Sequence, residues 1–219
     1  LANISNLLAS MPNFDYSLLD VQVTQVAPQN ILYVTTTSDR NITAVENAMD
    51  LALKDLRTAI AANQLVETAP PRLVTTNFGA DKYEFDVAIP VALRSEVDTD
   101  ADAAPDDDTA SDDAADADEA AVADEAAATT DEIDLTPPAP LEGLRLPDNV
   151  RTGQSYGGRV VTAPYKGHPA ALPLIRDQLR SYAAAFGEQL QDRAFEEYLT
   201  EIADTAAEDA QFRVYWPIK

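Results

Sequence analysis

The segment Phe85-Asp86-Val87-Ala88-Ile89-Pro90-Val91 has a second version far along the sequence, Phe212-Arg213-Val214-Tyr215-Trp216-Pro217-Ile218, and this repetition is the strongest indication of the fold. Both segments follow the order Phe, charged, Val, small or aromatic, apolar, Pro, apolar. Each one closes a longer stretch of similar build, so the pattern predicts two copies of one structural unit. The copies are too divergent for sequence identity alone to prove the repeat.

The first predicted unit spans residues 20–92 and has the order strand, helix, strand, strand. Its opening run is rich in β-branched residues and is broken or bulged near Pro28. Thr43 and Glu46 predict a capping box at the start of the helix, whose apolar stripe ends at Ile60. The predicted strands are residues 21–26, 31–36, 72–78 and 82–91.

The second predicted unit spans residues 150–219 and repeats that order. Its helix follows the turn Gly167-His168-Pro169 and ends at Gly187. We interpret His168, the single histidine, as a surface turn residue, because no nucleophile-elbow pattern or second metal ligand accompanies it. The predicted strands are residues 156–163, 195–202 and 211–218.

An acidic tract separates the two units. Seventeen Asp and Glu and no Lys or Arg lie between Glu96 and Asp134, so −17 of the formal charge of −23 belongs to this tract. We expect residues 93–149 to form a disordered, solvating insertion followed by an extended re-entry segment, without the turn pattern of a calcium loop. The remaining charge offers no basic patch, so direct nucleic-acid binding is not expected.

Residues 1–19 place apolar side chains at helical spacing. They predict either a short docking helix or the last helix of an upstream domain. No apolar run approaches the ~20 residues that span a bilayer, and no signal-peptide pattern follows Leu1. We expect a processed product or a fragment of a longer protein, in the cytoplasm, or else in the periplasm or tethered to a membrane by a preceding segment. The absence of Cys excludes disulfides, zinc–thiolate sites and thiol nucleophiles.

The pattern of two such units predicts an α+β fold. Joined edge to edge, they would form one curved antiparallel sheet with both helices on one face. The opposite face would curve around a groove on the pseudo-twofold axis between the repeats. Strand alternation assigns Phe85 and Val87 to the helix side and Asp86 and Ala88 to the groove side. Trp216 could turn to either side, because Pro217 follows it.

Three segments of the second unit carry a family resemblance: Gly158-Arg159-Val160-Val161-Thr162-Ala163-Pro164-Tyr165-Lys166-Gly167, Phe195-Glu196-Glu197-Tyr198-Leu199-Thr200 and Val214-Tyr215-Trp216-Pro217-Ile218. With residues 85–91, they resemble the GyrI-like, or bacterial effector-binding, domain, a pair of strand-helix-strand-strand (SHS2) repeats. The resemblance covers roughly residues 20–92 and 150–219. No helix-turn-helix precedes the domain, and the acidic tract splits the repeats, so transcriptional regulation is not supported. The N-terminal helix would fit the end of a START-like (SRPBCC) lipid-binding domain upstream.

The resemblance implies a small-molecule pocket in the groove, with aromatic walls and a buried Glu. The family's pocket Glu comes just before a Tyr. The resemblance therefore implies Glu197 as the pocket carboxylate, with Glu196 as the second candidate. The alternatives to a binding role are a solvent-exposed Glu in a strand and ordinary packing of the aromatic residues in the sheet. The expected pocket walls are Tyr33, Tyr165, Tyr198, Tyr215 and Trp216.

The leading functional prediction is a non-enzymatic module that binds a small hydrophobic or cationic compound without a metal or another cofactor. One alternative is a hydrolase of electrophilic compounds with Glu197 as general base, since some members of the resembling group are hydrolases. A second alternative is a protein-interaction domain, as the family's gyrase-inhibitory members suggest, with an apolar patch outside the groove.

Overall fold

The computed structural model of the protein describes residues 19–94, 133–201 and 207–219. These residues form one curved, nine-stranded antiparallel sheet with two α-helices, which confirms the predicted α+β fold. The strands are β1 (Gln22–Val26), β2 (Asn30–Asp39), β3 (Leu65–Glu67), β4 (Arg72–Phe78), β5 (Lys82–Leu93), β6 (Arg151–Gln154), β7 (Gly158–Lys166), β8 (Phe195–Tyr198) and β9 (Gln211–Pro217); the helices are α1 (Ile42–Ala62) and α2 (Leu172–Ala185).

The sheet is pseudo-symmetric about its centre. Its strand order is β1-β7-β9-β8-β4-β5-β2-β6, with β3 paired to β5 beside this path. The central pair is β4 and β8, in which Leu73 lies opposite Glu196. From this pair outwards, each strand of one repeat has a counterpart at the same distance in the other. The edge-to-edge joint between the two units is therefore the β4–β8 ladder.

The outermost strands are exchanged between the repeats. β1 pairs with β7 of the second repeat, and β6 pairs with β2 of the first. The expected break near Pro28 is thus a crossing from one repeat to the other. The two crossings meet where Gln29 and Ser155 bond to each other through the Gln29 N–H to Ser155 Oγ (2.9 Å) and the Ser155 N–H to the Gln29 carbonyl (2.8 Å).

Several predicted boundaries are corrected by local contacts. The N-cap of α1 is Asn41, whose side chain accepts from the Ala44 N–H at 2.9 Å, so the expected capping box of Thr43 and Glu46 is wrong. His168 accepts from the Ala170 N–H at 3.1 Å and caps a 3₁₀ turn before α2. β8 ends at Tyr198 instead of residue 202, and the short strands β3 and β6 were not predicted.

The core lies between the helices and one face of the sheet. Phe85, Val87 and Phe212 are completely or almost completely buried against apolar stripes of α1 and α2, which confirms the side predicted for the Phe/Val rows. Full burial of one such side chain contributes roughly 1.5–3 kcal/mol. The stripe residues that are buried here include Met49, Leu53, Leu56, Ile175 and Leu179.

Residues 133–150 contain neither helix nor strand, and Leu141, Leu144 and Leu146 pack against the core. The predicted N-terminal helix and nearly all of the acidic tract fall outside the described residues. Among the helices that the structure describes, none is long and apolar enough to cross a membrane.

The crossing of the exchanged strands predicts a stability effect. A Cβ at Gly157 would lie 2.6 Å from Cδ of Pro28, so Gly157→Ala forces one crossing away from the other. We expect the free energy of unfolding to fall by about 1–3 kcal/mol, the usual cost of overpacking, in chemical denaturation. In a Pro28→Gly background the same substitution should cost clearly less. Equal costs in both backgrounds would contradict this contact.

Candidate functional site

A cavity of about 430 Å³ lies on the groove side of the sheet, opposite the helices. We call it the groove cavity. β2, β4 and β5 form its floor, β6 and the loop before β8 form its rim, and Phe195 of β8 closes one side. Its lining residues include Tyr33, Arg72, Asp86, Ala88, Tyr156 and Phe195.

The two repeats differ at one pair of corresponding positions beside the groove cavity. Ala88 of β5 and Tyr215 of β9 both stand two residues before the repeated proline. The Tyr215 ring stacks on Phe195 with centroids 4.5 Å apart and planes 12° apart, and it fills the second repeat's half of the groove. Ala88 has no ring; it lines the groove cavity on the first repeat's side and is itself only 1% exposed.

Glu197 lies on the groove side and is fully engaged by neighbours. Its Oε1 accepts from Nε (3.1 Å) and Nη2 (2.9 Å) of Arg72, and its Oε2 accepts from the Tyr215 hydroxyl at 2.6 Å. The side chains of Arg72 and Glu197 are only 10% and 12% exposed. Burial, and then the bond to Glu197, raise the pKa of Tyr215 well above its ordinary value. Glu197 therefore orients Arg72 and Tyr215 and is not among the residues lining the groove cavity.

Asp86 is a carboxylate that does line the groove cavity. Its Oδ1 accepts from the Thr35 hydroxyl at 2.7 Å, and its Oδ2 accepts from Nη1 of Arg193 at 2.8 Å. Asp86 has only 13% of its side chain exposed, whereas Arg193 at the rim has 48%. The pair thus has one buried, fixed partner and one solvated partner.

Glu196 points to the opposite face, because consecutive residues of a strand alternate. It is 1% exposed, and Nη1 of Arg176 lies 3.1 Å from its Oε1. Burial raises the pKa of this carboxyl, although Arg176 opposes the shift. The two adjacent glutamates of the candidate motif therefore serve two different faces of the sheet.

The five aromatic residues expected to form one pocket are divided between the faces. Tyr33 lines the groove cavity, and Tyr215 borders it through Phe195. Tyr198 is buried in the core edge-on to Phe212, at 5.0 Å and 86°, and burial raises its pKa well above its ordinary value. Tyr165 packs parallel to the same Phe212 ring at 6.0 Å.

Trp216 borders a cleft with Pro173 and Arg176 of α2, so it also lies on the helix side. Pro217 leaves the strand alternation intact, since Trp216 stays on the same face as Val214. The five aromatic residues were expected to share one groove wall. Instead, Tyr165, Tyr198 and Trp216 lie apart from Tyr33 and Tyr215.

Some groove residues were missed by sequence reasoning. Asp86 was assigned to the groove side but not named as a site residue, although a buried acid in a strand closing one repeat was a usable signal. Arg72 could have been found only from the pairing of β4 with β8. Nothing local in the sequence marks Arg193 or Tyr156 as rim residues.

The comparisons with known proteins concern the fold. No protein-family model matches the chain, and no curated protein does. Among solved structures, EcmrR in its complex with DNA has a TM-score of 0.60 at 11% identity, with 100% of this chain aligned to 64% of EcmrR. The EcmrR C-terminal domain has a TM-score of 0.59 at 10% identity, covering 92% of this chain and 98% of that domain.

A hydrolase from Listeria innocua has a TM-score of 0.51 at 11% identity, covering 91% of each chain. This chain therefore shares its fold with the C-terminal domain of EcmrR and with a hydrolase, and it spans less than two thirds of the EcmrR chain. At such identities the likeness establishes the fold and leaves the activity open.

The buried pair of Arg72 and Glu197 predicts a large difference between two identical substitutions. Glu197→Gln leaves a buried guanidinium without its counterion, so we expect the free energy of unfolding to fall by about 1.5–3 kcal/mol. Glu201→Gln removes a pair with Arg57 whose side chains are 59% and 42% exposed, and should cost at most about 1 kcal/mol. Urea denaturation at neutral pH measures both, and equal losses would contradict the assignment.

Proposed function

We propose that this chain is a small-molecule-binding module of the GyrI-like effector-binding type, and that its ligand occupies the groove cavity. The observation that carries the proposal is the groove cavity, which Ala88 lines in the first repeat, whereas Tyr215 at the corresponding position of the second repeat packs on Phe195. A volume of about 430 Å³ lies within the range of roughly 300–1,000 Å³ usual for ligand sites.

The walls favour a flat aromatic ligand. Tyr33 and Tyr156 are half-buried at the groove cavity, and the Phe195 ring is 5% exposed. Ala88 lies opposite Arg72 on β4, so a ligand ring in the groove cavity would contact the Arg72 side chain as well as the aromatic lining residues. Aromatic stacking of this kind contributes about 0.5–1.5 kcal/mol beyond the area buried.

The carboxylate that would orient a cationic ligand is Asp86. Glu197 has a donor on each oxygen, so a cation would have to compete with the buried Arg72. Asp86 is held on one side by Thr35 and on the other by the half-exposed Arg193. A ligand ammonium could replace Arg193, which can then be hydrated, at little cost.

The hydrolase alternative receives less support from this geometry. A general base needs an oxygen within reach of the water that it activates. Both oxygens of Glu197 already accept short bonds from Arg72 and Tyr215. The protein-interaction alternative would rest on exposed apolar residues such as Leu51 and Phe186, and single exposed residues of this kind are ordinary on protein surfaces.

A substitution that fills the groove cavity at Ala88 tests the proposed function. The probes are naphthylmethylamine, a flat cation, and naphthylmethanol, its neutral counterpart, and binding is measured by calorimetry and by the rise in Tm. Ala88→Phe places a ring in the groove cavity and should weaken both probes at least tenfold. Ala61→Phe adds the same ring at an exposed position of α1 and should leave binding unchanged. Undiminished binding to Ala88→Phe would refute this location.

The role of Asp86 is tested by charge. Asp86→Asn keeps the side-chain shape and removes the negative charge, so naphthylmethylamine should bind about tenfold more weakly while naphthylmethanol changes little. Arg193→Gln is the matched variant on the other side of the ion pair. It frees the carboxylate and should strengthen binding of the amine. A parallel loss of both probes on Asp86→Asn would show a structural effect instead.

A further inference from the structure

A second cavity, of about 350 Å³, lies on the helix side of the sheet. We call it the helix-side cavity. It opens between the first turns of α1 and α2, directly over the central strand pair where Glu196 faces Leu73. The sheet separates it from the groove cavity, so the two spaces share no lining residue.

The helix-side cavity contains a buried carboxylate without a hydrogen bond. Glu196 is 1% exposed, and no group among the described residues donates to Oε1 or Oε2. Within the described ranges its one ionic neighbour is Arg176, whose Nη1 donates to the Thr75 and Tyr83 hydroxyls, the latter at 2.9 Å. Buried polar groups in native proteins nearly always have partners. None of the residues that the structure describes supplies the missing donor.

The charges around Glu196 restrict what can supply that donor. Arg176 balances the carboxylate, and the guanidinium of Arg40 stands 3.9 Å from the centroid of the Phe78 ring at the same cavity. The N-terminal ends of two helices add positive potential. A cation would be repelled by these groups, and an anion would be repelled by Glu196. A neutral hydrogen-bond donor avoids both costs.

The remaining walls suit an aromatic body. Phe78 and Tyr83 meet edge-on, with centroids 5.0 Å apart and planes at 84°, and both line the helix-side cavity. Val45 of α1 and Leu172 and Pro173 of α2 complete an apolar surface facing them. Such a surface contributes binding through area burial, while one polar group fixes orientation.

We propose that the helix-side cavity is a binding site for a small neutral aromatic compound that carries a hydroxyl group, the phenol class. The ring packs against Phe78, Leu172 and Pro173, and the hydroxyl donates to Glu196. This site stands on the opposite face from the groove ligand and is independent of it. Glu196, which the family resemblance suggested only as a reserve for the groove, thus has its own ligand.

The test compares phenol with toluene, which has the same ring and no donor. Both are titrated into the full chain, and methyl signals of Val45 and Ile42, which line the cavity, report binding by NMR. We expect phenol to bind at least tenfold more tightly than toluene, because a bond to a charged acceptor is among the stronger ones. Glu196→Gln keeps a weaker acceptor and should reduce this preference about five- to tenfold.

Two further variants keep the result decisive if Glu196→Gln folds poorly. Val45→Phe adds a ring at the wall of the helix-side cavity and should abolish binding of both compounds. Ala88→Phe, in the groove cavity, should leave phenol binding unchanged, so failure of this site is distinguishable from failure of the proposed function. Equal affinities for phenol and toluene, a stronger preference for benzylamine, or no phenol-dependent shift of these methyl signals would each overturn the proposal.

Discussion

The antiparallel pairing of β4 with β8 holds the two halves of the sheet together. It joins two repeats that would each leave a sheet edge unpaired, and it brings four side chains to the pseudo-twofold axis. On one face Arg72 meets Glu197, and on the other Leu73 meets Glu196. Both cavities lie beside this ladder, because that is where the curved surfaces of the two repeats meet.

The pseudo-symmetry of the two repeats accounts for the order of the strands. The two cavities lie where corresponding residues of the repeats differ. Wherever the two repeats carry similar residues, as in the rows of Phe85 and Phe212, the positions are filled and buried. Where they differ, space or unsatisfied charge remains. Ala88 lines the groove cavity where the other repeat has Tyr215, and Glu196 puts a carboxylate opposite Leu73 in an otherwise apolar layer. The pseudo-symmetric strands form the frame, and the differences between the repeats lie beside the two cavities.

Local patterns in the sequence were enough for the elements and their order. Alternating β-branched runs and the stripe from Met49 to Ile60 depend only on neighbours in the chain. The cap at Asn41 was missed because two polar residues competed for the same backbone groups. The faces of Tyr165 and Tyr198, the engagement of Glu197 and the exchange of β1 and β6 depend on partners distant in sequence. Such partners have no local signature, so the sequence could not place these residues relative to one another.

The exchanged outer strands also bear on how the chain acquires its structure. β1 finds its partner in β7, more than a hundred residues later, and β6 finds its own in β2. Neither half can complete its sheet until the other has been synthesised and has come into register. Assembly is therefore dominated by long-range closure, which slows folding and makes it concerted across both halves. The two repeats, although separate in sequence, form a single cooperative unit that gains its full set of strands only as a whole.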